Sequence, residues 1–273
     1  MPCVVCKKPV PPRFKYCPRH RRFGTLAADN QSIAEICKAM IASWDEKADA
    51  HRCKYCGRLL NETDPARDDY ATFDHWIPVK SPLVMCCRRC NSMKNALTGP
   101  EFLKILPALD DWWAKGIPFP RDIVAFECWD WKRLLLSAPL PPRKVAPFEA
   151  RVKKYTDCVI CDGALYPKSR YCARCRKFIT EQRDNAEKAK AMIESWDKAR
   201  KGFACRITNQ LVEENNLRSP WYGNFDHVDP KKPKRQFVCA WANRMKGNMT
   251  RTKFKKVVRA LADHIRTGAP VDR

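Results

Sequence analysis

Two stretches of the chain carry apolar residues at helical spacing. Across 32–47, Ile33, Ile36, Cys37, Met40, Ile41 and Trp44 recur every three or four positions, which predicts an amphipathic helix with one core-facing stripe. Ala189, Met192, Ile193 and Trp196 repeat that stripe. Two more helices are predicted at 101–115 and 252–267, and Pro107 should bend or interrupt the first of them. Before each lies a short, β-rich segment, Phe73-Asp74-His75-Trp76 in one place and Phe225-Asp226-His227-Val228 in the other. A helix should open after each, near Asn91 or Asn243. Within an insertion at 116–150, the stretch IVAFECWDWKRLLL reads as a buried, aromatic-rich helix. The Pro-rich run SAPLPPRKVAPF that follows reads as a stiff, extended connection.

The elements therefore occur twice. Cys3, Cys6, Cys17 and His20 reappear as Cys158, Cys161, Cys172 and Cys175, each 155 residues on. Downstream the displacement is 152: Trp44 to Trp196, Cys53 to Cys205, His75 to His227, Asn91 to Asn243. Three residues are missing from the second copy between its first cysteines and its tryptophan. The chain divides into an N-terminal repeat (1–136), a linker (137–150) and a C-terminal repeat (151–273).

Sixteen cysteines sharpen the picture, because most fall in C-x-x-C pairs. Two residues between ligands let a tight turn place both sulfurs on one tetrahedral ion. Cys3, Cys6, Cys17 and His20 form one four-ligand set, Cys158, Cys161, Cys172 and Cys175 a second, and Cys53, Cys56, Cys87 and Cys90 a third. About three structural zinc ions are expected, one per four-ligand set. Cys37, Cys86 and Cys128 should stay unligated. The first residues lack the apolar core of a signal peptide, and no apolar run is long enough to span a bilayer. The expectation is an intracellular protein, cytoplasmic or nucleoid-associated, with no membrane contact. A formal net charge of +23 points to a polyanion partner, nucleic acid before others. Arg19, Arg21, Lys94, Arg174, Arg176 and Lys246 are candidate DNA contacts.

The third set encloses more than cysteine. Between Cys53-x-x-Cys56 and Cys87-x-x-Cys90 stands Asp74-His75, and directly after Cys90 come Asn91 and Lys94. This combination resembles the HNH, or ββα-metal, endonucleases over about 53–98 and again over 205–250. The resemblance implies an α+β chain of small zinc-stabilised modules, with two ββα-metal units in a pseudo-dimeric functional monomer. It implies that Asp74 and Asn91, and likewise Asp226 and Asn243, hold Mg²⁺ or a similar divalent cation, with His75 and His227 activating water. Asp and His, being adjacent, point to opposite faces of a regular strand, so the strand should be twisted or bulged for them to share a site. The expected activity is metal-dependent hydrolysis of duplex DNA, one site per strand. Rival readings are a junction-resolving endonuclease and a non-catalytic zinc protein that binds nucleic acid. Two departures stand out. The brace Asn that the family places before the third Cys is absent. In the second copy Thr208 and Ala242 replace two zinc ligands, leaving Cys205 and Cys239, while Asp226, His227, Asn243 and Lys246 persist. Phe203, Trp221, Tyr222, Phe225 and Trp241 are available to fill the place of that zinc.

Overall fold

A computed structural model describes residues 1–25, 33–78, 80–124, 157–165, 170–179 and 185–271. The predicted aromatic helix, the Pro-rich linker and Cys128 lie outside them. The chain is mixed α+β, and the four sheets among the described residues each have two strands. By contact, the described residues up to 124 group with those from 255 on, and those from 157 to 254 form a second compact unit. The contact units thus differ from the sequence repeats in where the last helix is counted. No helix among the described residues is long and apolar enough to cross a membrane.

In the first unit a cysteine turn leads into α1 (Pro18–Thr25), then α2 (Ile33–Ser43). The predicted stripe is narrower than its periodicity suggests: Ile36, Ala39 and Met40 are buried, while Ile33 and Ile41 are 59% and 46% exposed. The helix also stops before Trp44. Asp45 accepts from the backbone N–H of Lys47 and Ala48, a local turn that competes with helix continuation. Trp44–Asp45 (β1) instead pairs with Ala50–His51 (β2).

Ala71–Ile77 (β3) and Lys80–Cys87 (β4) form an antiparallel hairpin that runs straight into α3 (Arg88–Lys94). Cys87 caps α3, its sulfur accepting from the Cys90 N–H. Then α4 (Gly99–Lys115) opens on a Thr98–Glu101 capping box and closes on Gly116 at φ 69°, where a left-handed residue ends a helix without steric penalty. Pro107 lies inside α4, which continues through it. Its missing N–H does not terminate the helix because Phe102, Ile105, Leu106 and Leu109 are wholly buried and hold both turns in place.

The second unit repeats the plan. Its elements are α5 (Ala173–Ile179), α6 (Asn185–Ser195), β5 (Trp196–Asp197), β6 (Gly202–Phe203), β7 (Gly223–His227), β8 (Arg235–Cys239), α7 (Ala240–Lys246) and the start of α8 (Arg251–Thr267). The ββα order, hairpin into helix, is therefore built twice.

One turn recurs four times. Lys7, Gly57, Asp162 and Asn209, each four residues after a cysteine, all sit at left-handed φ, 60°, 65°, 55° and 57°. In each, that residue's N–H bonds back to the carbonyl of Cys3, Cys53, Cys158 or Cys205. Asn209 keeps the turn although its second cysteine position is now Thr208. Asn is among the few residues that adopt this conformation readily.

Candidate metal centres and the paired Asp-His sites

Three clusters have their ligand atoms within 4.8 Å of one another: Cys3, Cys6, Cys17, His20; Cys53, Cys56, Cys87, Cys90; and Cys158, Cys161, Cys172, Cys175. These are the three sets expected from spacing, and they could hold about three metal ions. Four converging sulfur or imidazole donors match the closed tetrahedral set of structural zinc. Cys37 and Cys86 fall outside them. Cys86 is fully buried beside Thr72 and its counterpart Val238 is buried too, so the position is an apolar one facing inward. Burial pushes His20 down to about 4, which keeps its imidazole neutral.

In the second unit two of the four positions of the third cluster are no longer ligands. Cys205 and Cys239 lie 3.5 Å apart, with Thr208 and Ala242 buried alongside. Trp241 stacks edge-on against Trp221 at 5.8 Å. Phe203 and Phe225 both meet Phe237, at 5.5 and 5.1 Å.

The Asp-His pairs sit on the first strand of each hairpin. The hairpin is in register from Ala71↔Cys87 to His75↔Leu83, and its irregularity comes only after His75. In the second unit Asp226↔Gln236 and His227↔Arg235 are regular throughout. No bulge falls between Asp and His, and by strand alternation the two side chains leave opposite faces. Asp74 and Asp226 are buried, and both histidines are half-buried.

On the aspartate face stands α3. The Asn91 amide donates to Thr72 Oγ1 and to the Phe73 carbonyl, both at 3.2 Å. One turn on, Lys94 Nζ reaches Asp74 Oδ1 at 3.2 Å, and Tyr55 Oη donates to Oδ2 at 2.7 Å. Burial pushes the Asp74 carboxyl above the usual range, opposed by the Lys94 ammonium and the Tyr55 hydrogen bond. Tyr55 is itself pushed far up by burial and by Asp74, so it serves as a donor. The second unit has the same arrangement: Asn243 donates to the Phe225 carbonyl at 3.3 Å, and Lys246 Nζ lies 3.1 Å from Asp226 Oδ1. There Gln236 takes the part of Tyr55, at 2.7 Å from Oδ2.

This bears on the expected DNA contacts. Lys94 and Lys246 are 1% and 0% exposed; ammonium groups so buried and paired do not face a phosphate. Arg19 and Arg174 are committed as well. Arg19 grips Glu62 with two nitrogens and lies over the Trp44 ring. Arg174 does the same with Glu214 and Trp196. These pairs tie each cysteine turn to the loop that precedes its hairpin. Of the six candidates, Arg21 and Arg176 remain exposed.

Comparisons with known protein families, with curated proteins and with solved structures return no match.

Proposed function

We propose that this chain is a nucleic-acid endonuclease in which two ββα units each address one strand of a duplex. The observation that supports it is a duplicated one: a half-buried histidine follows the aspartate on each hairpin, and an asparagine enters from the following helix. Lys94 and Lys246 give the aspartates a packing role, and the amide bonds to Phe73 and Phe225 give the asparagines one.

The donors fit a hard divalent cation by type: a carboxylate, and an amide oxygen that nothing among the described residues hydrogen-bonds. Asp74 with Asn91, and Asp226 with Asn243, would hold it. When bound, such a cation supplies charge stabilisation for the phosphate and the leaving oxygen. Lys94 and Lys246 already neutralise these carboxylates, so affinity for the cation should be low. The histidines, leaving the opposite face of the strand, would accept the proton of the attacking water only where strand twist brings them to the same phosphate. They are not equivalent. Leu83 stands opposite His75, whereas Arg235 stands opposite His227 and donates to its Nδ1 at 3.2 Å.

The test is cleavage of strand-labelled duplex with Mg²⁺. His75→Ala should abolish cutting of one strand and His227→Ala of the other, each with a loss of roughly 10²–10⁴-fold in rate. The double variant should still bind DNA. If His227→Ala cuts both strands at the wild-type rate, the second unit is not catalytic.

The buried Asp–Lys pairs favour a second reading, a zinc-supported nucleic-acid-binding protein without hydrolysis. Binding with no cleavage at any Mg²⁺ concentration would establish it. Either reading predicts a steep salt dependence, log affinity falling by roughly 0.9 per log unit of salt for each phosphate neutralised. A flat response in a filter-binding or anisotropy titration would place the positive charge away from the nucleic acid.

A further inference from the structure

The two cysteine turns differ at one ligand, His20 in the first and Cys175 in the second. That change does not come alone. His20 Nδ1 faces the cluster, 3.5 Å from Cys3 Sγ and 3.2 Å from Cys17 Sγ. Its other nitrogen, Nε2, meets Nε2 of His51 at 3.1 Å. His51 Nδ1 lies 2.9 Å from Ser43 Oγ, and Ser43 Oγ donates to the Met40 carbonyl at 3.0 Å. Both imidazoles are fully buried.

This chain of contacts has a direction. With the Met40 carbonyl at 3.0 Å and Met85 Sδ at 3.3 Å to take the Ser43 hydroxyl proton, Ser43 accepts from His51 Nδ1–H. His51 then presents a lone pair at Nε2, which accepts Nε2–H from His20. That leaves Nδ1 of His20 bare, toward the sulfurs. An imidazole bound to a metal ordinarily gives its second N–H to such an acceptor, which fixes tautomer and ring orientation.

The second copy lacks both imidazoles of this chain. Where His20 becomes Cys175, His51 becomes Phe203. A cysteine has no second nitrogen to orient, and a phenyl ring cannot accept the bond. The ring place is kept: His51 lies edge-on to Trp44 at 4.9 Å, and Phe203 lies edge-on to Trp196 at 5.0 Å. Ser43 persists as Ser195, and the buried Ser195 hydroxyl has no hydrogen-bond partner.

We infer that His51 is the positioning residue of the first cluster, and that its imidazole dictates which nitrogen of His20 a metal meets. Packing alone would give His51 no reason to change in step with a ligand. The inference concerns this chain's own residues and holds whether or not the protein cuts nucleic acid.

The experiment uses the zinc-loaded full chain and follows release of zinc to a chromophoric chelator. Wild type should release three ions. His51→Phe should speed release of one of them by about 10- to 100-fold, the effect of losing an outer partner of a metal-bound histidine. His20→Cys with His51→Phe copies the second cluster into the first and should restore slow release. His51→Gln, whose amide oxygen can accept from His20, should fall between. Equal release from His51→Phe and wild type would overturn the inference. So would a double variant that releases as fast as His51→Phe, since a packing defect is not cured by changing a ligand. If His51→Phe does not fold, the serines decide. Ser43→Ala should speed release of one ion severalfold, while Ser195→Ala should leave all three unchanged. No effect of Ser43→Ala would overturn the inference.

Discussion

Stripping the protein of metal should unfold the hairpin of the first unit and leave that of the second folded. A structural zinc contributes about 10–16 kcal/mol of apparent binding free energy to the fold that holds it. A whole domain has only about 5–15 kcal/mol of net stability. Cys53, Cys56, Cys87 and Cys90 join the turn before the hairpin to the start of α3. Without an ion they are four buried thiols, and the hairpin loses its main tie to the helix. The second hairpin has no such cluster. Phe203, Phe237, Val238 and Trp241 are buried there, and none of them is a metal ligand. Amide hydrogen exchange with and without chelator reads the difference directly. Protection across 71–87 should collapse, while most protection across 223–239 should remain. Loss of both to the same extent would mean that the aromatic residues do not substitute for the ion. Elemental analysis of the untreated chain should give about three zinc ions, one for each closed four-ligand set.

That asymmetry was legible in the sequence because metal-ligand spacing is local. A C-x-x-C pair is one turn, and its four copies hold one backbone geometry whether or not both cysteines survive. The order of hairpin and helix was legible for the same reason, from apolar runs bounded by turn residues. What the sequence hid were the partners. Trp44 continues the helical period of α2, yet the turn at Asp45 diverts it into β1. Arg19 and Lys94 read as exposed cations until Glu62 and Asp74 are brought against them. Distance along the chain gives no hint of such pairs. The duplication does, because Arg19 and Glu62 recur as Arg174 and Glu214, and Asp74 and Lys94 as Asp226 and Lys246. Residues retained together, or changed together as His20 and His51 are, mark contacts that spacing cannot.

The pair Asp74–Lys94 should be strongly coupled in stability. Both side chains are nearly sealed from water, at 9% and 1% exposed, with the ammonium 3.2 Å from the carboxylate. Removing one partner of a buried pair strands the other charge and costs about 3–5 kcal/mol. Asp74→Asn leaves Lys94 without a counter-charge; Lys94→Met leaves Asp74 with only the Tyr55 hydroxyl. The double variant strands neither. Its loss should fall well below the sum of the single losses, by more than about 0.5 kcal/mol, the scatter expected of independent sites. The measurement is a denaturant titration of the zinc-loaded chain, run as a double-mutant cycle. Asp226 and Lys246 should give the same result, since Lys246 is fully buried and 3.1 Å from its partner. Additive losses in both cycles would show that the lysines reach water in solution. Lys94 and Lys246 would then return to the set of cations open to a phosphate, and the aspartates would be left free of the charge that now opposes a divalent cation.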